Sequence, residues 1–261
     1  MDCQPRRRER QLRSANRALG IARSLLLYYG IPFRRRRLAR LYRPFIGPGS
    51  VCFDVGAHVG NRVRCWRGLG ARVVAVEPQG DLVRVLRFLF RRDPEVRIVA
   101  SALGAAPGSA TLLVSERTPT VSSLSRSWTA RVGASPSFRG VSWKPGAQVQ
   151  VTTLDALIDR FGLPSFVKID VEGYEAEVLA GLSQPVPALS FEYLPAAREV
   201  GRQCIDRLGT LGDYRFNWSP GESHRLTESA WLEPDQMRAR LASMPAEGDS
   251  GDVYALLSER G

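Results

Sequence analysis

Acidic residues lie at or near the ends of three apolar segments of this sequence. Asp54 lies in the first segment, Glu77 follows the second directly, and Asp170 ends the third. Parallel strands place such residues at one edge of a sheet, where α/β proteins bind their ligands. A carboxylate at the end of the second strand can accept both hydroxyls of a ribose. We therefore predict a ligand site at this edge, with Glu77 on the sugar and Asp170 in a functional role.

The turn after the first segment indicates which ligand this is. It reads Asp54-Val55-Gly56-Ala57-His58-Val59-Gly60. The glycines let the backbone pass close to a ligand, and the helix that follows offers free N–H groups. A dinucleotide site expects G-x-G-x-x-G, whereas these glycines stand four apart behind an acidic residue. The spacing disfavours a pyrophosphate and favours a ligand whose ammonium and sulfonium groups face Asp54.

The string KIDVEGYE at residues 168–175 is the most specific in the chain. Its apolar residues carry Asp170 to the end of a strand beside the first one. Glu172 is expected in the first turn of the next helix, where a carboxylate favours the helix dipole. We predict this capping role for Glu172 and Glu175.

Strand-like and helix-like segments alternate from residue 51 onward. Predicted strands cover residues 51–55, 72–76, 96–102, 166–170, 188–192, 214–218 and 253–257, and predicted helices cover 61–69, 82–92, 154–161, 174–182 and 196–211. Such alternation predicts a mostly parallel, doubly wound sheet with an antiparallel closing pair. Residues 105–150, rich in Ser, Pro, Gly and Thr, interrupt it and predict a hairpin plus loop over the site.

In this order, FDVGAHVGN, VVAVEP, VTTLDALI, VKIDVEGYEAEVLAGL and LSFEY resemble the FkbM family of methyltransferases, over residues 45–195. The resemblance implies a Rossmann-like class I methyltransferase fold: a seven-stranded, mostly parallel sheet with helices on both faces. It also implies S-adenosylmethionine as cofactor and a hydroxyl of a sugar, glycan or other natural product as methyl acceptor. The cofactor-binding positions would be Asp54, Gly56, Ala57, Gly60, Glu77, Pro78, Ser101, Ala102 and Asp170. Arg62 and Val63 depart from the residues that the family commonly carries there.

Methyl transfer to an aliphatic hydroxyl requires alignment and a positioned base. The candidates are Asp170, Glu192 at the end of the fifth strand, and His58 in the first turn. We rank His58 last, because a histidine in a tight turn is more often a structural group bonded to the backbone. The sequence predicts no metal ligands, although Asp170 and Glu192 could share a hard cation.

Two further groups of residues have open roles. Ser122, Ser123, Ser125 and Trp128 in the insertion either contact substrate or form a polar surface loop. Tyr193 and Trp143 either form a stacking wall or pack in the core.

The net charge of +11 resides in the first 45 residues, which hold 13 Arg against Asp2 and Glu9, whereas the remainder holds 24 basic and 24 acidic residues. We predict a basic helical arm over residues 1–45 and a methyltransferase domain over residues 46–261. No stretch reaches the ~18 apolar residues of a membrane span, so we expect a cytoplasmic protein. The arm is apolar between two Arg clusters, at residues 6–10 and 34–37. It could therefore contact the inner face of the membrane.

Three other functions remain in competition. An RNA methyltransferase would place the arm on phosphates, but the neutral core predicts no specific nucleic-acid partner. A nicotinamide-dependent sugar oxidoreductase is disfavoured by the glycine spacing and by the lack of a Tyr-x-x-x-Lys pair. A noncatalytic binding module is disfavoured because Asp54, Glu77 and Asp170 are all present. The oligomeric state stays open.

Overall fold

The computed structural model describes residues 4–258 except 32, 116–120, 134, 136 and 137, with only the backbone described for residues 4–16. The helices are α1 Gln4–Gly30, α2 Arg34–Tyr42, α3 Asn61–Arg67, α4 Gly80–Leu89, α5 Arg126–Val132, α6 Leu154–Phe161, α7 Glu175–Ala180, α8 Arg198–Leu211 and α9 Pro234–Ser243. The strands are β1 Val51–Val55, β2 Arg72–Val76, β3 Val96–Val99, β4 Ala102–Leu103, β5 Gly108–Val114, β6 Lys144–Thr152, β7 Phe166–Ile169, β8 Ala188–Tyr193, β9 Tyr214–Pro220 and β10 Gly251–Leu257.

The central sheet has seven strands in the order β3-β2-β1-β7-β8-β10-β9. The pairs from β3 to β8 are parallel, and β10 runs antiparallel to both β8 and β9. The predicted fold class and the antiparallel closing pair are therefore confirmed. Because β1 pairs with β2 on one side and with β7 on the other, the chain order reverses at β1. Open α/β sheets bind their ligands at such a reversal, outside the carboxyl ends of the strands.

Both faces of the sheet are covered, as the short apolar strands predict. Along β1, Phe53 and Val55 belong to a core cluster shared with α6, α7 and α8, whereas Cys52 belongs to a second cluster shared with α2 and α3. This alternation follows the two-residue period of a strand. It fixes which face of the sheet each helix covers, and hence where each turn emerges.

The interruption after β3 forms a small three-stranded sheet in the order β4-β6-β5. The predicted strand over 96–102 ends at Val99, because the chain bends and Ala102 pairs with β6 instead. The long strands β5 and β6 form an antiparallel hairpin. Between them lies α5, which the sequence analysis did not predict. Its N-cap Ser125 accepts the backbone N–H of Trp128.

The N-terminal segment is helical over most of its length. Helix α1 begins at Gln4 and so includes the first Arg cluster, RRRER at residues 6–10. Helix α2 contains the second Arg cluster and buries Leu38, Leu41 and Tyr42 in the core beside Trp66. The core therefore crosses the predicted domain boundary at residue 45. Within the described ranges, no helix combines the length and apolar character needed to traverse a bilayer.

Candidate active site

Two cavities meet at the carboxyl ends of β1, β2 and β7. The first cavity, of about 560 Å³, extends from Asp170 toward β2 and the small sheet. The second, of about 1030 Å³, extends toward α1, α2 and the start of β10. Gly56, His58, Asp170 and Glu172 border both of them. At the point where the strand order reverses, the sheet thus opens into two adjoining cavities. The four residues that border both cavities form their common wall.

The buried carboxylate of Glu77 borders the first cavity. Its Oε2 accepts the N–H of His58 at 3.0 Å, and its Oε1 accepts the N–H of Gln79 at 2.9 Å. Burial raises the pKa of Glu77 to about 7, although these two N–H groups favour the ionised form. Its orientation is fixed by backbone on both sides, so it presents a rigid acceptor to any hydroxyl-bearing ligand.

The rest of the first cavity combines small, polar and apolar residues. The predicted cofactor positions Gly56, Pro78, Ser101, Ala102 and Asp170 border it as well. Apolar side chains of Leu103, Leu112 and Leu124 complete it. A concave space with apolar walls and a few fixed polar groups is typical of a small-molecule site.

Three predicted cofactor positions, Asp54, Ala57 and Gly60, border neither cavity. Asp54 is fully buried, and among the described residues its carboxylate oxygens have no hydrogen-bond partner. Burial raises the pKa of Asp54 to about 6 against the opposing charge of Arg62. A Cβ on Gly60 would lie 2.8 Å from Leu86, so this glycine serves the packing of the turn against α4. Their contact with the cofactor stays a prediction; in the ligand-free structure these three residues lie beside the residues that border the cavities.

Asp170 lies in a network of buried charges. Its Oδ2 is 2.8 Å from Arg62 Nη2 and 3.5 Å from Lys168 Nζ, and that ammonium is 2.7 Å from Asp252 Oδ1. Burial acts to raise the pKa of Asp170, but Lys168 and Arg62 outweigh it and hold the pKa below its usual value. Asp170 is therefore ionised at neutral pH and oriented from two sides.

Glu172 and Glu192 complete an acidic group with Asp170. One carboxylate oxygen from each of the three lies within 4.8 Å of the others. Burial, together with the charges of neighbouring carboxylates, raises the pKa of Glu172 and Glu192 well above the ordinary value. A group of this kind favours a positive charge in its midst, whether an organic cation or a metal ion.

The predicted capping role of Glu172 is wrong. Helix α7 begins only at Glu175, and Glu172 precedes it with a left-handed φ of 55° while bordering both cavities. Glu175 does have the local backbone role, since its Oε1 accepts the N–H groups of Val171 and Gly173. The irregular loop between β7 and α7 separates the two glutamates, and sequence spacing alone does not reveal it.

Backbone strain concentrates at the second cavity. Among the described residues, four non-glycine positions have a left-handed φ, and three of them, His58, Glu172 and His224, border this cavity. Such conformations persist where the surrounding structure enforces them, often at functional sites. Burial lowers the pKa of His58 to about 4, so its imidazole is neutral and a weak base at pH 7.

The far side of the second cavity comes from distant parts of the sequence. Tyr28 of α1, Glu222, His224 and Asp252 border it. Glu222 pairs with Arg34 at 2.6 Å and with His224 at 3.1 Å. No spacing rule connects these positions, because only the closing strands and α1 bring them together. Arg62 did carry a signal, since it departs from the family pattern.

The residues of the insertion take different places. Ser122 borders the first cavity, and Ser123 donates its hydroxyl to the carbonyl of Glu172 at 2.6 Å. Ser125 caps α5, and the ring of Trp128 packs on Gly173, where a Cβ would lie 2.0 Å from its Cδ1. The insertion therefore fixes the loop after β7 as well as bordering the site.

The two remaining aromatic candidates pack away from the cavities. Trp143 donates its indole N–H to Val121 at 2.7 Å and contacts Trp128 with ring centroids 6.0 Å apart. Tyr193 is buried, with its ring centroid 6.2 Å from that of Trp218. Neither borders the first or second cavity, so the packing alternative applies to both.

Sequence comparison matches residues 54–205 to the methyltransferase FkbM domain, which is more than half of the chain. A comparison with curated proteins finds no match.

Several solved structures share the general architecture. An O-methyltransferase from Bacillus cereus in complex with S-adenosylhomocysteine has 11% identity and a TM-score of 0.46, covering 92% of this chain and 90% of that one. An O-methyltransferase from Streptomyces achromogenes involved in tomaymycin synthesis, in complex with S-adenosylmethionine, gives the same four values. A precorrin-6Y C5,15-methyltransferase from Geobacter metallireducens has 11% identity and a TM-score of 0.44, covering 86% and 87%. At these TM-scores no residue role is transferred from them.

Proposed function

Since the chain belongs to the FkbM family of methyltransferases, we propose that it transfers the methyl group of S-adenosylmethionine to a hydroxyl of a sugar, glycan or other small natural product. The observation that carries this proposal is the pair of adjoining cavities with Asp170 in their common wall. A transferase needs its two substrates to meet at one point. Ligands in the two cavities would meet at the residues that border both of them.

The first cavity suits the cofactor. Glu77 would accept the ribose hydroxyls, Ser101 and Ala102 would border the adenine, and Leu103 and Leu112 supply apolar surface for a planar ring. Asp170 and Glu172 lie toward the second cavity and would face the positively charged end of the ligand. When bound, the cofactor supplies a methyl group activated by a positively charged sulfur.

The second cavity would hold the acceptor, and Glu192 is the proposed base. It borders only the second cavity, whereas Asp170 borders both. Its raised pKa suits a group that must take a proton from a weakly acidic hydroxyl. Asp170, whose charge Arg62 and Lys168 stabilise, is a weak base and would orient the reacting groups instead. The neutral His58 would border the same space without taking the proton.

The charges around the second cavity support an uncharged or cationic acceptor. Five carboxylates border it, those of Asp170, Glu172, Glu192, Glu222 and Asp252. Arg62 is the cation that borders it within the described part of the chain. Phosphates of a nucleic acid need cationic partners, and Arg62 is already paired with Asp170. A polyhydroxyl acceptor, by contrast, finds many hydrogen-bond acceptors, so this acidity favours a sugar over RNA.

The proposed location is the cytoplasm, with contact to the inner face of the membrane through the N-terminal segment. The observation in its support is the exposure of five arginines whose side chains are described, Arg23 of α1 and Arg35, Arg36, Arg37 and Arg40 of α2.

The test is a calorimetric titration of the purified protein with S-adenosylmethionine. We expect micromolar binding, at least tenfold weaker in Glu77→Gln, because an amide cannot accept from two hydroxyls as a carboxylate does. Glu247→Gln changes an exposed glutamate outside both cavities and is the matched control. NAD serves as the competing ligand.

Binding of NAD in place of S-adenosylmethionine would overturn the proposal, and so would equal affinities of the two variants.

A metal requirement is tested with the same preparation. We expect turnover to survive EDTA, because Asp170 is already paired with Arg62 and Lys168 and has little charge left for a metal. Loss of turnover that Mg²⁺ restores would instead assign the acidic group to a metal ion.

A further inference from the structure

Exposed apolar side chains gather on one side of the molecule. Among the described residues, eight large hydrophobic side chains are exposed, and seven of them belong to α1, the turn after it and α4. They are Leu19, Leu26, Leu27, Ile31, Phe33, Phe88 and Leu89. Leu19 and Leu26 are 71% and 75% exposed, more than the others. Such clustering on one surface marks an interaction site, whereas scattered exposed residues do not.

Helix α1 has two distinct faces. On one face, Arg17 pairs with Asp81 of α4, Tyr29 donates its hydroxyl to the carbonyl of Val59 at 2.9 Å, and Tyr28 borders the second cavity. At 100° per residue, Leu19 and Leu26 lie on the opposite face. The helix is therefore fixed to the active-site turn by one face, whereas Leu19 and Leu26 on the other face are largely exposed.

The apolar surface continues across a groove onto α4. Ala18, Ala22 and Leu25 of α1 border this groove together with Phe88 and Leu89 of α4. The surface thus spans two elements that Arg17 and Asp81 hold together, which makes it broader than a single helix stripe.

Arginines surround this surface, and their charge is not balanced. No acidic residue occurs between Glu9 and Asp54. Arg36 lies over the ring of Phe33 and Arg91 over that of Phe88, and the further exposed arginines of α1, α2 and α4 are Arg23, Arg35, Arg37, Arg40, Arg84 and Arg87. Asp81, the acidic residue of α4, is already paired with Arg17. In a lipid leaflet, apolar side chains of this kind can contact the acyl chains, and the arginines beside them can pair with anionic headgroups.

We propose that the outer face of α1, with Phe33 and Phe88, docks on an anionic membrane surface. The length and composition of α1 match a helix that lies in the interface, and no described helix is apolar enough to cross the bilayer. The same helix carries Tyr28 into the second cavity on its opposite face, so docking places that cavity about one helix diameter, ~10 Å, from the membrane surface. The acceptor class that fits is a hydroxyl on a lipid-linked polar group, and this last step rests on the proposed function.

The experiment is co-sedimentation of the full chain with phosphatidylcholine vesicles, with and without phosphatidylglycerol. We expect partition only onto the anionic vesicles, decreasing as salt is raised. The double variant Leu19→Ser/Leu26→Ser should lower the partition coefficient about tenfold, because it removes two apolar groups from the docking face. Leu163→Ser, at a 49% exposed leucine elsewhere, is the matched control and should partition like the unchanged protein.

Failure to bind anionic vesicles would overturn the inference, as would equal partition of the double variant and the control. If the double variant instead lost binding to RNA, or changed from dimer to monomer in sedimentation, the surface would belong to those partners and the inference would fall. Calorimetry with S-adenosylmethionine on the same samples separates the two proposals. Cofactor binding without vesicle binding rejects docking alone, whereas vesicle binding without cofactor binding rejects the proposed chemistry and the lipid-linked acceptor.

Discussion

At the scale of single residues, Asp170 and Glu192 carry the same functional group but differ in proton affinity. Two cations within 3.5 Å stabilise the ionised form of Asp170. Glu192 is surrounded instead by other carboxylates, which favour its protonated form together with burial. Neighbouring charges, more than residue type, therefore support the proposed roles of orienting group for Asp170 and base for Glu192.

We expect Glu192→Gln to lower kcat by at least a hundredfold while leaving the affinity for S-adenosylmethionine within threefold, since Glu192 borders only the second cavity. In the unchanged enzyme, kcat should rise with pH through the raised pKa of Glu192, because the base must lose its proton first. This pH dependence should vanish in the variant. Single-turnover kinetics across pH would check both points.

A comparison with Asp170→Asn sharpens this test. That variant should lose cofactor affinity as well as rate, and it leaves Arg62 and Lys168 without their shared partner. If instead Glu192→Gln turned over normally and Asp170→Asn alone lost its rate, Asp170 would be the base.

At the scale of elements, the turn after β1 and the loop after β7 are in close contact. Gly56 has a φ of 83°, and a Cβ there would lie 1.9 Å from the carbonyl oxygen of Asp170. We expect Gly56→Ala to cost at least ~3 kcal/mol in the free energy of unfolding, because both the clash and the left-handed backbone oppose a side chain. Chemical denaturation would measure it.

Gly80→Ala is the matched control for that substitution. Gly80 begins α4, has ordinary backbone angles, and a Cβ there meets nothing within 4 Å. It should be neutral or stabilising by up to ~1 kcal/mol. Equal effects of the two alanines would show that the contact between turn and loop does not constrain the fold.

The link between α1 and α4 gives a second prediction at this scale. Arg17 Nη2 lies 2.6 Å from Gln79 Oε1, and the guanidinium pairs with Asp81. We expect Arg17→Ala to weaken the docking of α1 by about 1 kcal/mol, seen as roughly fivefold faster hydrogen exchange in residues 18–30. Arg23→Ala, an exposed position on the same helix, should leave the exchange unchanged. The prediction fails if both variants exchange alike.

The predictability of the elements follows from how much apolar surface each one buries. Strands β1, β2 and β7 are buried on both faces and were recognisable as apolar runs. Helix α9 buries only Met237 and Leu241, and α5 lies within a segment rich in turn residues, so neither has a clear period. The start of α9 did carry a signal, since Glu233 and Gln236 form a capping box around Pro234.

At the scale of the whole molecule, buried carboxyls set the pH dependence of stability. Burial raises the pKa of Asp54 to about 6, and that of Glu77 and Glu175 to about 7. Groups with a raised pKa contribute stability that is complete below pH ~4 and is lost as the pH rises to 7. Each shift corresponds to on the order of 3 kcal/mol. We therefore expect the Tm of the ligand-free protein to fall between pH 5 and pH 8.

Glu222 changes the stability of the fold in the opposite direction, and it does so at lower pH. Its pKa is lowered to about 2, against an opposing desolvation, through its bond to His224 and the charge of Arg34. Solvent screens these pairs because the side chain is 60% exposed, so its contribution is small, and it is lost below pH ~4.5. The two trends place the optimum near pH 4. Glu175→Gln, which keeps an oxygen for the same N–H groups, should flatten the slope above it. A Tm that rises steadily from pH 5 to pH 8 would contradict this account.

The two halves of the site differ in how far the sequence could predict them. Glu77, Pro78, Ser101, Ala102 and Asp170 follow strands, and the order of strands alone brings them together. The second cavity depends on Tyr28 and Asp252, which are far apart in the sequence and belong to a helix and an antiparallel strand. Their meeting is a product of tertiary packing, which no local pattern encodes.

The common wall of the two cavities has a consequence for how the substrates bind. Gly56, His58, Asp170 and Glu172 face both spaces, and two of them have a strained backbone. A ligand that orders this wall from one side spares the second ligand that conformational cost. Thermodynamic reciprocity then requires the acceptor to strengthen cofactor binding by the same factor as the cofactor strengthens acceptor binding. With donor and acceptor in the two cavities as proposed, we therefore expect positive cooperativity between their binding.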